Sequence, residues 1–309
     1  MRLAFCRALV ELAADDPRIL LLTGDLGYTV LEPFAETFPD RFFNLGVAEQ
    51  NMMGVATGLA EAGFIPFVYS IATFASLRPY EFIRNGPVLQ QLRVRIAGVG
   101  GGFEYAHAGP THHGLEDVGV MRIQPGLTVL SPADHQQARA AVLATWDLPG
   151  PVYYRLGKDD KTVVPGLEGR FTLGQVEVVA NGDDLLLLTF GSIASEAAKA
   201  ANALADEGIS TMVVIVSSFN PIRVEELARI LGRFRLVMTV EAHYVTGGLG
   251  SLVAEVIAER GLSCQLMRCG VRELSVVSGS QDYAHRMHGL SSDQVANTAR
   301  AALRKQSAR

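Results

Sequence analysis

The chain has 309 residues, which at ~150 residues per domain leaves room for two domains. Apolar residues make up 49% and charged residues 19%, the composition of a well-buried globule and not of a disordered or low-complexity chain. With 27 Lys and Arg against 32 Asp and Glu the net charge is −5, which argues against a basic nucleic-acid footprint, and three scattered cysteines (Cys6, Cys264 and Cys269) argue against a disulfide scaffold.

Residues 2–14 put Leu3, Cys6, Leu9, Val10 and Ala13 on one helical stripe. Arg2, Arg7 and Glu11 interrupt that stretch, so it does not read as a secretory leader. Ile19 to Thr23 is a short apolar strand ending in Gly24-Asp25. Residues 47–62 read as a helix with Met52, Val55, Ala56, Leu59 and Ala60 on one face. Ile65 to Ser70 is a buried strand, and 71–85 a helix with a kink or restart at Pro79. Val94 to Val99 is a strand that runs into the glycines of 98–102. Thr128 to Ser131 is a strand, 133–146 a helix with Asp134 near its start, and Val152 to Arg155 a strand. From about 157 to 182 the rhythm fails, with some strand character at 175–179. It resumes with strands at 185–190, 211–216, 236–240 and 265–268, and helices near 193–207, 223–232, 248–260 and 292–305. Both halves read βαβα, so the expected fold class is α/β, two domains each with a mostly parallel sheet covered by helices. Their expected limits are 1–165 and 183–309, with a linker over 166–182. No apolar run approaches the roughly 20 residues of a membrane span, so the expectation is a cytoplasmic protein without membrane or nucleic-acid partners.

Most generic motifs are absent. No phosphate loop and no nucleophile elbow occur, and the glycines of 98–102 lack the helix and spaced acid of a dinucleotide site. His107, His112 and His113 lie close to Glu116 and Asp117, but this Gly- and Pro-rich stretch cannot present ligands at helical spacing, so no metal site is assigned. Two segments carry more. In Leu45-Gly46-Val47-Ala48-Glu49-Gln50-Asn51 an acid opens an otherwise apolar helix, either as a partner of the helix dipole or as a buried functional group. In 103–117 three of the chain's seven histidines stand in a glycine-flanked loop after a strand, where open α/β sheets place their sites.

These two segments, in this order, resemble the pyrimidine-binding domain of transketolases and of deoxyxylulose-phosphate synthase. Gly46-Val47-Ala48-Glu49-Gln50 is similar to that family's Gly-Ile-x-Glu-His/Gln, and Gly109-Pro110-Thr111-His112 to its Gly-Pro-Thr-His. Thr73-Phe74 and Tyr80 resemble the positions that hold the cofactor's aminopyrimidine, with Leu77 where some members carry a stacking aromatic. Val129 to Asp134 resembles the next strand–helix signature, and residues 183–309, with Thr189-Phe190-Gly191-Ser192 and Glu241-Ala242-His243, resemble the family's C-terminal domain. The resemblance implies thiamine diphosphate as cofactor, bound near Asp25, Glu49, Phe74, Leu77 and Tyr80, with Glu49 and His112 catalytic. It implies His107, His112, Arg155 and Arg2 as contacts to a sugar phosphate or related substrate.

The family's diphosphate motif, Gly-Asp-Gly with a later Asn, is not matched. Gly24-Asp25-Leu26 with Asn51 imitates it but lacks the second glycine. The resemblance therefore implies half an enzyme. An N-terminal-half subunit would hold the diphosphate and Mg2+, the chain would add the pyrimidine and C-terminal domains, and the assembly would be α2β2. Ala108 stands where transketolases carry a donor-binding aspartate, and Gly100 where they carry a histidine, which implies a specialised donor. The alternatives are the β subunit of a 2-oxo-acid dehydrogenase first component, a deoxyxylulose-phosphate-synthase-like enzyme, and a non-catalytic regulatory partner that kept the fold.

Overall fold

A computed structural model describes residues 1–307. Its strands are β1 Ile19–Thr23, β2 Phe42–Asn44, β3 Ile65–Ile71, β4 Arg95–Val99, β5 Thr128–Leu130, β6 Val152–Leu156, β7 Glu177–Ala180, β8 Leu185–Thr189, β9 Thr211–Ile215, β10 Ser218–Asn220, β11 Leu236–Tyr244 and β12 Gln265–Val271. One sheet runs β10-β5-β6-β4-β3-β1-β2 and is parallel except for β10. The other runs β12-β11-β8-β9-β7 and is parallel except for β7. Helices cover both sheets, which is why β1, β3, β4, β6, β8 and β9 are buried at every residue and are mostly apolar, with Arg95 and Arg155 as the buried charges of β4 and β6.

The two sheets share their interior. Met52, Val68, Val94 and Val129 from the first half join Leu188, Phe219, Leu249 and Val253 from the second in one apolar cluster. β10 comes from the second half of the chain yet pairs with β5 at the edge of the first sheet. The stretch 166–182 is not a free tether, since β7 lies within it and pairs with β9.

Local chemistry explains the boundaries. Asp134 caps the helix His135–Thr145, its carboxylate accepting from the Gln137 N–H at 2.9 Å. Pro79 splits the expected 71–85 helix into Ala72–Ser76 and Tyr80–Ile83, followed by a π-helical turn over Arg84–Val88. The helix Leu249–Glu259 starts at Gly248 with no side-chain cap of its own. Glu241 of β11 caps it instead, accepting from the N–H groups of Leu249 at 2.8 Å and Gly250 at 2.9 Å. No helix among the described residues is long and apolar enough to cross a membrane.

Candidate active site

The loops that follow β1, β2, β3, β4 and β6 leave the carboxyl ends of parallel strands, where such sheets hold their ligands. Gly46, with φ +71°, turns the chain out of β2, and the helix Glu49–Glu61 then packs Met52, Met53 and Ala56 into the core. That packing carries Glu49 inward to 2% exposure. Two groups satisfy its carboxylate. The Ser70 hydroxyl donates to Oε1 at 3.1 Å, and Arg78 Nη1 donates to Oε2 at 2.9 Å. The Arg78 guanidinium also lies 3.8 Å from the centroid of the Phe74 ring.

Ring contacts lead on from Phe74. His112 meets it edge-on at 5.0 Å, and Tyr105 lies 6.4 Å from His112 and 6.1 Å from His107. Lys158 Nζ sits 4.0 Å from the centroid of Tyr105, and Arg2 Nε donates to the Lys158 carbonyl at 3.3 Å. Glu49, Arg78, Phe74, His112, Tyr105, Lys158 and Arg2 thus form one continuous row. Burial, and then the charges of Arg78 and His107, hold the His112 pKa below its ordinary value. Burial and Arg2 likewise lower that of Lys158. Gly100 has φ +76°, and a Cβ there would overlap the Tyr105 ring, so no larger residue fits while Tyr105 stays.

Asp25, with φ +58°, is exposed at the other end of the row. Hydrogen bonds from Asn44 and Tyr28, each 2.9 Å, hold its carboxyl below the usual range. Asn44 also accepts from the backbone N–H of Asp25 and of Gly46, both at 3.0 Å, and so ties the β1 loop to the loop that leads to Glu49.

A family model described as the transketolase pyrimidine-binding domain matches residues 1–162, and one described as the transketolase C-terminal domain matches 174–295. The chain belongs to the transketolase family. It is 35% identical over 300 residues to one subunit of a 6-deoxy-6-sulfo-D-fructose transketolase from a Clostridium species, covering 97% of this chain and 93% of that one. It is 33% identical over 303 residues to one subunit of the apulose-4-phosphate transketolase from Phocaeicola vulgatus, covering 96% of each. A solved structure described as a split gene transketolase, inactive beta4 tetramer, superposes with a TM-score of 0.88 at 38% identity, covering 98% of this chain and 97% of that one.

The site's residues fit the thiamine diphosphate on which transketolases depend. A buried carboxylate stands beside an aromatic face, and its charged partner, Arg78, is 42% exposed. Other expected site residues are placed differently. Arg155, expected at a substrate phosphate, is instead buried to 4% exposure. Its Nε donates to Asp117 at 2.9 Å, and its Nη2 to the carbonyls of Gly114 and Ala242 at 3.0 Å each. Nε and Nη2 are thus engaged within the fold, tying Arg155 to Asp117 and to both sheets. Tyr80, expected at the pyrimidine, spends its hydroxyl on the helix Asp117–Arg122 and the turn after it: it donates to the Val120 carbonyl at 2.8 Å and accepts from Gln124. Leu77 is exposed beside Arg78. His107 is exposed and shares Tyr105 with His112, whereas His113 is buried against Phe103 at 5.0 Å and lies apart from them.

Arg78, Tyr105 and Lys158 escape a reading of the sequence. Arg78 leaves a usable trace, since it stands four residues after Phe74, the spacing at which side chains meet along a helix.

Proposed function

We propose that the chain is the pyrimidine-binding subunit of a two-component transketolase that moves a two-carbon ketol unit from a ketose or 2-oxo donor to an aldehyde acceptor. The observation that carries this reading is the buried Glu49 carboxylate, held at the end of the row that contains Phe74 and His112. When bound, thiamine diphosphate supplies the nucleophilic carbon that accepts the ketol unit. Glu49 holds the ring nitrogen of the aminopyrimidine, with Ser70 fixing the carboxylate's orientation from its other oxygen. Phe74 offers the ring a stacking face. His112 is neutral at pH 7, and with Thr111 on its Nδ1 at 2.9 Å it offers Nε2 to a substrate oxygen or proton. A separate diphosphate-binding subunit holds the phosphates and Mg2+, and the two subunits pair as α2β2. In support, relatives of nearly equal length carry the names of transketolase subunits.

The donor is a specialised one. Tyr105 fills the space above Gly100, and Ala108 offers no hydrogen bond, so this wall recognises fewer hydroxyls. Arg2 and Lys158, and not Arg155, hold an anionic end of the substrate. The relatives named for apulose-4-phosphate and for a sulfo-sugar agree with such a donor.

The test is ketol transfer by the chain reconstituted with the diphosphate-binding subunit that co-purifies with it, in thiamine diphosphate and Mg2+. Activity should require both subunits. Glu49→Gln should leave assembly intact and lower kcat on the order of 100-fold or more. Ala108→Asp should improve use of xylulose 5-phosphate relative to less hydroxylated donors. Full turnover by the chain alone, or a near-normal rate in the Gln variant, would overturn the reading.

A further inference from the structure

Glu49 and Phe74 are already in use. Arg78 gives an N–H to Glu49 Oε2 at 2.9 Å and lays its guanidinium on the Phe74 ring at 3.8 Å. His112 approaches the same ring edge-on at 5.0 Å, so Phe74 has neighbours on more than one side. A guanidinium is a flat cation with N–H donors at its rim, and it both pairs with carboxylates and stacks on rings. An aminopyrimidine is likewise flat, with nitrogen at its rim. Arg78 therefore makes the same two kinds of contact, with the same two residues, that the proposed function gives to the cofactor's ring.

We propose that Arg78 is a residue of the cofactor site that competes with the aminopyrimidine for Glu49 and Phe74, and so sets how readily the cofactor enters. The inference rests on the function proposed above. Three features make Arg78 displaceable. It is 42% exposed, so its guanidinium can be hydrated once it leaves, whereas Glu49 at 2% cannot follow it and needs the incoming ring as its replacement partner. It stands between the short helices Ala72–Ser76 and Tyr80–Ile83, outside both. It lies one turn from Phe74 on the same segment, so its swing does not require a domain to move. While Arg78 stays in place it keeps a buried carboxylate paired, which an empty polar pocket would not do. The apparent affinity for the cofactor is then lower than the intrinsic one by the fraction of molecules in which Arg78 has swung away.

The experiment measures thiamine diphosphate binding to the assembled two-subunit complex in Mg2+, by calorimetry for affinity and by stopped-flow for association rate. Arg78→Met keeps the length of the chain but removes the N–H donors and the charge. It should tighten binding about tenfold and speed association, as expected for a site closed about nine times in ten. Arg78→Lys, which retains charge without the flat group, should give a smaller gain. In a Glu49→Gln background the gain from Arg78→Met should shrink, because the ion pair that held the side chain is gone. A Met variant that binds the cofactor more weakly would make Arg78 a cofactor ligand and overturn the proposal, as would unchanged affinity and rate. If the wild-type complex assembles but takes up no thiamine diphosphate, the functional reading itself fails, and this inference falls with it.

Discussion

His112 stands among positive charges, and its proton is therefore held loosely. Burial lowers its pKa first, then Arg78, then His107. NMR titration of the whole chain should place its midpoint below the ordinary 6.5, and Arg78→Met should raise that midpoint by removing one opposing cation. A midpoint above 6.5 would mean that a carboxylate governs the ring. With its folded pKa depressed, the ring favours the folded state above that range and the effect is lost as the pH falls. Because the ring is only partly buried, the consequence lies in proton transfer more than in stability. Glu49 and His112 are legible in the sequence for physical reasons: one is an acid at the head of an apolar helix, the other lies in a histidine-rich loop between glycines. The Glu49–Arg78 pair is not, because its members are on different elements that only the folding of β3 brings together. The true place of Arg155 is hidden for a related reason. A position at the end of a strand does not say whether a side chain turns outward, and here Asp117 and two carbonyls draw it in.

Glu241 does for a helix what no residue beside that helix does. It reaches from β11 to the first N–H groups of Leu249–Glu259, and a Cβ on Gly248, Gly250 or Gly270 would press against it. The two N–H groups favour its ionised form, but burial prevails and pushes its pKa from the ordinary 4.5 up to about 7. The folded value lies above the unfolded one. The stabilisation is therefore complete below about pH 4.5 and is lost as the pH rises through 7, at roughly 1.4 kcal/mol for each pH unit in between. Chemical denaturation at pH 5 and pH 8 should show wild type losing a few kcal/mol more than Glu241→Gln, which cannot ionise. Equal losses would mean that Glu241 stays charged throughout. At this scale the long buried strands and amphipathic helices are plain from their periodicity. The three-residue strands β2 and β10 are not: unlike β5, whose residues are mostly buried, each ends in a polar residue that is exposed or only partly buried. The helix Gln281–Met287 is hidden as well, since it is mostly polar and exposed.

The two halves of the molecule are joined by charge as well as by apolar packing. Arg155 links β6 to Asp117 and, through the Ala242 carbonyl, to β11 of the second sheet. Asp117 is 1% exposed, so removing its partner leaves a buried carboxylate with no cation to balance it. Arg155→Met should cost about 3–5 kcal/mol of folding stability in urea or thermal unfolding. At temperatures where the variant remains folded, the KM for a phosphorylated substrate should stay within about twofold of wild type. A large rise in KM with little loss of stability would return Arg155 to the substrate. The division into two sheets is readable in the failed rhythm between 157 and 182, but the crossing of β10 is not, since no local pattern tells a strand which sheet it will join. That crossing also bears on how the chain is made. Until Ser218–Asn220 has left the ribosome, β5 is a bare edge with unpaired backbone groups, although the other six strands of its sheet are already synthesised. The nascent first half must therefore wait, open to pairing with its neighbours on the same message, while part of its successor is translated, and slow translation just before β10 would lengthen the interval in which such errors occur.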